Sequence, residues 1–187
     1  GIWHLDTTGN GVTDTTFRFG SGDDMPVVGN WDGLPGDEVG VWRPGNRLFY
    51  LDSNSNRMWD AGIDQVSAPY GATALDIPVA GDWDGDGTDQ IGQYRPSWGT
   101  FYLDNGDLQW DAGTDTIVTA PLNVGGYPVI GDWDENGADD LGYLTSAGVF
   151  HLGTDNGSGV FTETEQYGSF ATSGDKPVAG TWSDDSP

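Results

Sequence analysis

The sequence predicts an all-β protein, a small β-propeller of four blades of about 50 residues each. A Pro-Val-x-Gly-x-Trp segment recurs four times, with tryptophans 52, 50 and 49 residues apart at Trp31, Trp83, Trp133 and Trp182. The intervening segments are short, rich in Val, Ile, Tyr, Phe and Trp, and bounded by Gly, Asp, Asn and Pro, which is typical of strands. No segment has a sustained 3.6-residue apolar period, so almost no helix is expected.

Each repeat contains four predicted strands, termed A to D. Strand A is the Pro-Val segment, as in residues 26–31. Strand B begins at a glycine nine residues after the tryptophan, and the three examples are Gly40, Gly92 and Gly142. Strand C is the apolar segment that follows, at residues 48–52, 100–104 and 149–152 and again at 2–6. Strand D leads to an aromatic residue followed by glycine, at Phe19, Tyr70 and Tyr167.

The order of these strands predicts one domain over residues 1–187. Three complete blades are expected at residues 26–71, 78–122 and 128–170. Residues 1–20 would join residues 177–187 to form the fourth blade, because propellers close their ring by removing exposed edges. No segment supplies strand B of that blade. Either this blade has three strands, or the natural protein is longer, or a second copy covers the gap, and we expect a three-stranded blade. Any self-association is expected at this blade-4 seam, where backbone groups would be left unpaired.

The charge of the chain excludes several classes of partner. There are 30 acidic residues against 6 basic ones, a formal charge of −24. Nucleic acid and anionic lipid would be repelled, so neither is an expected partner. No stretch approaches the roughly 18 apolar residues that span a bilayer, so no membrane insertion is expected. Without cysteine there is no disulfide, zinc–thiolate site or cysteine nucleophile.

The loop between strands A and B carries the candidate chemistry. In the second repeat it places carboxylates at Asp82, Asp84 and Asp86, followed by Gly87. Ca²⁺ prefers six to eight oxygen ligands, and alternate carboxylates with a glycine bend can wrap one such ion. The third repeat has the corresponding oxygens at Asp132, Asp134 and Asn136. Asp-Gly clusters also form plain turns, but two intact copies at one place in a repeat favour a calcium site.

Other loops give weaker signals. The first A–B loop contains Asn30, Asp32, Asp37 and Glu38, but Leu34 replaces its third ligand. The fourth, at residues 181–185, ends before its last ligand. Loops after strand C also contain alternate oxygens, as at Asp6 and Asp14. The counterpart that begins at Asp104 is shortened, so plain turns are the favoured interpretation of the C–D loops.

The A–B loop, the preceding Phe-Gly or Tyr-Gly and the following Gly-x-x-x-Pro resemble the FG-GAP repeat. This repeat forms the blades of integrin α-subunit propellers and of VCBS-like repeats in microbial surface proteins. The resemblance covers nearly the whole chain and implies a propeller with Ca²⁺ in its blade hairpins and a role in adhesion. The family's last ligand is the ninth loop residue, occupied here by Glu38, Gln90 and Asp140, whereas an aspartate recurs one place earlier. We expect Asp89 in the second loop, leave Asp139 or Asp140 open in the third, and expect backbone carbonyls from Thr88 and Ala138.

No catalytic residue is predicted. His4 and His151 occupy positions where sister repeats have tyrosine, which favours a structural role. Arg43 and Arg95 share one slot and are expected to bond to a carboxylate in a neighbouring blade. Trp98 is the best candidate for stacking on a ligand.

The leading interpretation is a non-enzymatic calcium-binding protein for recognition or adhesion. It would act extracellularly or at a bacterial or archaeal cell surface, with a protein or glycan ligand. The alternatives are a carbohydrate-binding accessory module of a secreted enzyme and a structural surface-layer repeat.

Overall fold

The computed structural model describes residues 1–120, 126–154, 159–168, 171–172 and 174–179. This part of the chain contains fourteen strands and no helix, so the all-β prediction is confirmed. It therefore also lacks any helix that could cross a membrane. The strands are β1 (Ile2–Leu5), β2 (Thr15–Arg18), β3 (Met25–Gly29), β4 (Glu38–Arg43), β5 (Leu48–Leu51), β6 (Gln65–Val66), β7 (Ile77–Gly81), β8 (Gln90–Arg95), β9 (Thr100–Leu103), β10 (Thr116–Thr119), β11 (Tyr127–Gly131), β12 (Asp140–Leu144), β13 (Phe150–Thr154) and β14 (Thr162–Tyr167).

The strands form four antiparallel sheets. Three sheets have four strands each, in the consecutive orders β3 to β6, β7 to β10 and β11 to β14. The N-terminal hairpin of β1 and β2 forms the fourth sheet, with Ile2 opposite Arg18 and Leu5 opposite Thr15. The A–B and C–D loops of each four-stranded sheet therefore lie at one end, and the B–C turn lies at the other.

Successive sheets pack against each other through three apolar clusters. The hairpin contributes Trp3 and Phe17 to a cluster with Val41 of β4. The next cluster joins β3–β6 to β7–β10, and its members include Trp42 and Ile91. A third cluster likewise joins β7–β10 to β11–β14. The sheets thus follow one another face to face in chain order.

The glycine that opens each predicted strand B has a packing reason. A Cβ atom at Gly40 would lie 2.8 Å from a methyl group of Leu51 and 2.9 Å from one of Val27. Gly142 of the third sheet is similarly enclosed by the strands on either side. The middle strand can therefore pass closely between strands A and C only where a side chain is missing.

The first strands of the three large sheets adjoin one another, β3 beside β7 and β7 beside β11. They line a cavity of about 760 Å³, which Lys176, Pro177 and Ala179 also line. Residues 177–179 form no strand, and the remainder of the predicted fourth strand A, residues 180–182, lies outside the described residues. The loop predicted at residues 181–185 also lies outside them.

Candidate metal centres

The second and third A–B loops share one turn. Asp82 Oδ1 accepts a hydrogen bond from the backbone N–H of Asp86 (3.1 Å), and its Oδ2 accepts one from Gly87 (2.8 Å). Asp132 makes the same two contacts, with Asn136 (3.0 Å) and Gly137 (2.9 Å). The first carboxylate therefore anchors the turn by capping backbone donors, as Asx turns do.

This turn needs left-handed backbone at its fourth and sixth residues. The fourth residue has φ of 74° at Gly85 and 58° at Glu135, and the sixth has φ of 88° at Gly87 and 92° at Gly137. Glycine adopts these angles without steric cost, whereas Glu135 is a less favoured residue there. The result is a tight loop in which alternate side chains converge on one side.

Three aspartates converge in each of these loops. One oxygen from each of Asp82, Asp84 and Asp86 lies within 4.8 Å of the others. In the third loop the corresponding group is Asp132, Asp134 and Asp140. Carboxylate oxygens packed this closely repel one another unless a cation or proton lies between them. The chemistry fits a hard divalent cation such as Ca²⁺, with carbonyls and water completing the coordination.

The ninth loop residue faces the loop interior, whichever side chain it carries. Asp140 is 6% exposed and its Oδ2 accepts a hydrogen bond from Trp133 N (3.0 Å). Gln90 makes the matching contact through Oε1, to Trp83 N (2.8 Å). Its Nε2 then donates to Thr88 O (2.7 Å) and Asp84 Oδ1 (3.3 Å), so these two oxygens converge on one point. In the third loop, the carboxylate that joins Asp132 and Asp134 is therefore that of Asp140 and not that of Asp139.

The eighth residue points elsewhere. Asp89 Oδ2 accepts from Asn30 N (3.1 Å), and Asp89 N donates to Asn30 O (2.8 Å) of the preceding repeat. Asp139 makes the same pair of contacts with Asp82, at 3.0 and 2.7 Å. The eighth aspartate thus joins one repeat to the one before it. This placement does not match the expectation that Asp89 supplies the last ligand of its own loop.

Burial raises the pKa of Asp140 to about 6, and the charges of Asp134 and Asp132 add to the rise. Burial likewise raises the pKa of Asp89 to about 6, although the hydrogen bond from Asn30 opposes it. A bound divalent cation would reverse the electrostatic cost at Asp140, because it favours the ionised carboxylate.

The weaker candidates are occupied by protein donors. In the first A–B loop, the Ser55 hydroxyl donates to Glu38 Oε1 (3.0 Å) and lies 3.3 Å from Asp32 Oδ2. Asn30 Nδ2 donates to Gly87 O (2.8 Å) in the next repeat. In the first C–D loop, Asp6 accepts from Gly11 N, and Asp14 Oδ2 accepts from the backbone and hydroxyl groups of neighbouring threonines. Neither loop forms a three-carboxylate group within the described residues, and Asp37 of the first A–B loop therefore belongs to no such group there.

One acidic group was missed by the sequence analysis, in a C–D loop interpreted as a plain turn. Asp104, Asp107 and Asp115 bring one oxygen each to within 4.8 Å of one another. Asp115 enters the group because Thr114 N and Asp115 N both donate to Asp111 O and turn the chain back. A repeated signal was available, since Trp-Asp-Ala-Gly-x-Asp occurs at 59–64 and again at 110–115.

The two histidines and Trp98 each contact other side chains of the protein. His151 is 8% exposed, stacks on Tyr143 and contacts Glu163 through Nδ1 at 2.8 Å. His4 Nδ1 lies 3.3 Å from the Thr16 hydroxyl. Trp98 is 63% exposed, with the guanidinium of its neighbour Arg95 4.9 Å from the ring centre.

The two arginines do bond to carboxylates, Arg43 to Asp24 and Arg95 to Asp76, each at 2.9 Å. The prediction of a bond between blades is wrong, because each aspartate directly precedes strand A of the arginine's own sheet. The arginine on the second strand of the sheet thus holds the turn that enters its first strand.

Comparisons with known proteins found no match: no family model, no curated protein and no solved structure resembles the chain significantly.

Proposed function

We propose that this chain is a non-enzymatic, calcium-stabilised β-propeller of the FG-GAP type that serves extracellular recognition or adhesion. The observation that carries the proposal is the third A–B loop, where two exposed aspartates and the buried Asp140 converge. The second loop repeats the turn with Asp82, Asp84 and Asp86. Two equivalent acidic turns at the same end of successive sheets suit Ca²⁺ better than isolated turns do.

The ring architecture is supported by the stacking of the sheets. Face-to-face packing in chain order, with the first strands β3, β7 and β11 adjoining, is the arrangement found around a propeller axis. The cavity that these strands share with residues 176–179 lies where such an axis would run. The C-terminal segment would then supply the innermost part of the fourth blade.

Calcium in such loops would act through structure rather than catalysis. The second and third A–B loops each contact the loop of the preceding repeat through the eighth aspartate, Asp89 with Asn30 and Asp139 with Asp82. An ion that orders one loop therefore also orders its junction with the next blade. A rigid rim of loops is what a recognition surface needs, because pre-ordered groups lose less entropy on binding.

Calorimetry with Ca²⁺ and after complete chelation tests the calcium part of this proposal. We expect a higher melting temperature with Ca²⁺, and identical melting curves would contradict it. Binding to immobilised extracellular-matrix proteins, in Ca²⁺ and in chelator, tests the recognition part. Calcium-dependent retention of any of them supports recognition, whereas no retention of any of them in either condition opposes it.

Carbohydrate binding is a second candidate, favoured by the exposure of Trp98. Its ring lies in the turn between β8 and β9, at the sheet end opposite the acidic loops. Exposed indoles stack on apolar faces of ligands, and the Arg95 guanidinium lies against one face of this ring. Glycan-array binding that Trp98→Ala abolishes would favour this candidate over protein adhesion.

A further inference from the structure

The C–D loop between β9 and β10 contains an acidic group separate from the A–B loops. Asp104 is 3% exposed, and its Oδ2 accepts hydrogen bonds from Gly106 N (2.9 Å) and Leu108 N (3.1 Å). Its other oxygen, Oδ1, is fully buried and has no hydrogen-bond partner. A buried carboxylate oxygen without a donor is costly, so this atom points to a missing positive partner.

The same deficit affects its neighbours. Asp115 Oδ2 accepts from Asp111 N (2.8 Å), but Asp115 Oδ1 is also buried without a partner. Asp107 brings a third carboxylate to within 4.8 Å of both. The three ion pairs in the described part of the chain lie elsewhere and involve none of these residues. Three negative charges therefore face one another with no protein cation between them.

A buried hydroxyl completes the surroundings. Tyr70 is fully buried, its ring packs edge-on against Trp110 (5.9 Å between centres), and its hydroxyl has no partner. Burial raises the pKa of Tyr70, and the charges of Asp115, Asp104 and Asp107 raise it further. This buried hydroxyl, which can donate or accept a hydrogen bond, is thus a further unpartnered polar group in the surroundings of the three carboxylates.

The preceding C–D loop is one residue longer, makes a similar turn and carries different chemistry. Asp52 there accepts Arg57 N, as Asp104 accepts Leu108 N, and both donors have left-handed φ, 64° and 63°. In place of Asp107 stands Asn56, whose amide donates to Asp60. In place of Tyr70 stands Phe19, which packs on Trp59 without a hydroxyl. Asp64 also has one unpartnered oxygen, but no third carboxylate joins it within the described residues.

We infer that Asp104, Asp107 and Asp115 form a further divalent-cation site, built to take Ca²⁺. Two carboxylates with unpartnered buried oxygens and a third carboxylate supply hard oxygen ligands of the kind that this ion prefers, with water completing the coordination. The site would tie the loop to the preceding sheet, to which it is already bonded by Ala68 N donating to Leu108 O (2.8 Å). It adds to the A–B loop sites and does not depend on them.

The test counts Ca²⁺ ions bound per chain, by equilibrium dialysis at about 1 mM Ca²⁺, a concentration at or above the dissociation constants of extracellular sites. Asp107→Asn, which copies Asn56 at an exposed position, and Asp115→Asn should each lose one ion relative to the parent. Asp111→Asn is the matched control, because it removes the same charge from the same loop outside the group. It should retain the full count, and near-UV circular dichroism should show that all three variants remain folded.

Equal counts in the parent, Asp107→Asn and Asp115→Asn would overturn the inference. Its failure is distinguishable from failure of the calcium loops proposed above. A variant carrying Asp84→Asn and Asp134→Asn that still binds one ion supports the C–D site alone. Conversely, ions lost only from that double variant, with Asp115→Asn unchanged, would leave the A–B sites and refute the C–D site.

Discussion

The substitution Asp140→Asn separates a calcium ligand from a merely structural residue. The carboxylate is buried and shares its loop with Asp132 and Asp134. The amide of the variant keeps an oxygen for the hydrogen bond from Trp133 N, so the turn should survive. What changes is one negative charge, and the size of its effect on stability depends on whether a cation is present.

Without calcium, the variant should be more stable than the parent at pH 7. The folded pKa of Asp140, about 6, lies above the ordinary value of about 3.9. Such a group contributes stability that is fully present below about pH 4 and is lost as pH rises through 6. At pH 7 the ionised carboxylate therefore opposes folding, and the neutral amide removes that opposition.

With calcium, the advantage of the variant over the parent should shrink, because the parent gains more stability from the ion. A site with a dissociation constant of about 10⁻⁴ M contributes about 1.4 kcal/mol at about 1 mM Ca²⁺. The attraction between Ca²⁺ and one carboxylate at about 2.5 Å is about 3 kcal/mol in water-like screening, and lost hydration offsets part of it. A tenfold loss of affinity then lowers the calcium-dependent gain in stability by about 1 kcal/mol, or about 2–4 °C in melting temperature for a chain of this size.

Scanning calorimetry of both proteins, with Ca²⁺ and with chelator at pH 7, checks this difference in calcium dependence. Glu38→Gln is the control, because it changes the same ninth position in a loop where Ser55 already bonds to the carboxylate. Its stability change should be the same with and without calcium. If the calcium-dependent rise for Asp140→Asn equals that of the parent, Asp140 is not a ligand.

Three further outcomes are expected. Asp76→Ala should lower the free energy of unfolding by about 3–5 kcal/mol in urea titrations, because it leaves the mostly buried Arg95 unpaired. Asp24→Ala should lower it less, because Arg43 is more exposed. Equal losses would argue against burial as the cause. The pKa of Asp76 is held below its ordinary value, because the donors from Arg95 and the backbone outweigh the effect of burial. The contribution of the Asp76–Arg95 pair to stability should therefore persist above about pH 4 and disappear only in stronger acid. Molar NaCl should raise the melting temperature even at saturating Ca²⁺, because three ions would reduce the charge of −24 only to about −18 and salt screens the remaining repulsion. An unchanged melting temperature would mean that the carboxylates are too far apart for their repulsion to affect stability. Deleting residues 1–6 should destabilise the whole domain, because it removes β1 and the Trp3 ring that packs beside Phe17. A truncated chain that melts at the same temperature as the parent would show that this hairpin is dispensable.

Local signals in the sequence were enough to predict the strands. A middle strand such as β8, buried on both faces, and the glycine that lets strand B pass between its neighbours both follow from residues close in the chain. The turn chemistry of the second and third A–B loops was equally readable, because an aspartate bonds to backbone donors only four and five residues ahead.

Partner choice over longer distances was decided by the tertiary structure. Asp89 and Gln90 are adjacent in sequence, yet one joins the preceding repeat and the other enters its own loop, because successive strand residues point to opposite faces. Asp104 and Asp115 come together only because the chain turns back at Asp111, and burial against the previous sheet then removes the water that would have solvated their free oxygens. Residue type and spacing along the chain specify which oxygens a loop can offer, but desolvation by neighbouring sheets decides which of them lack a partner.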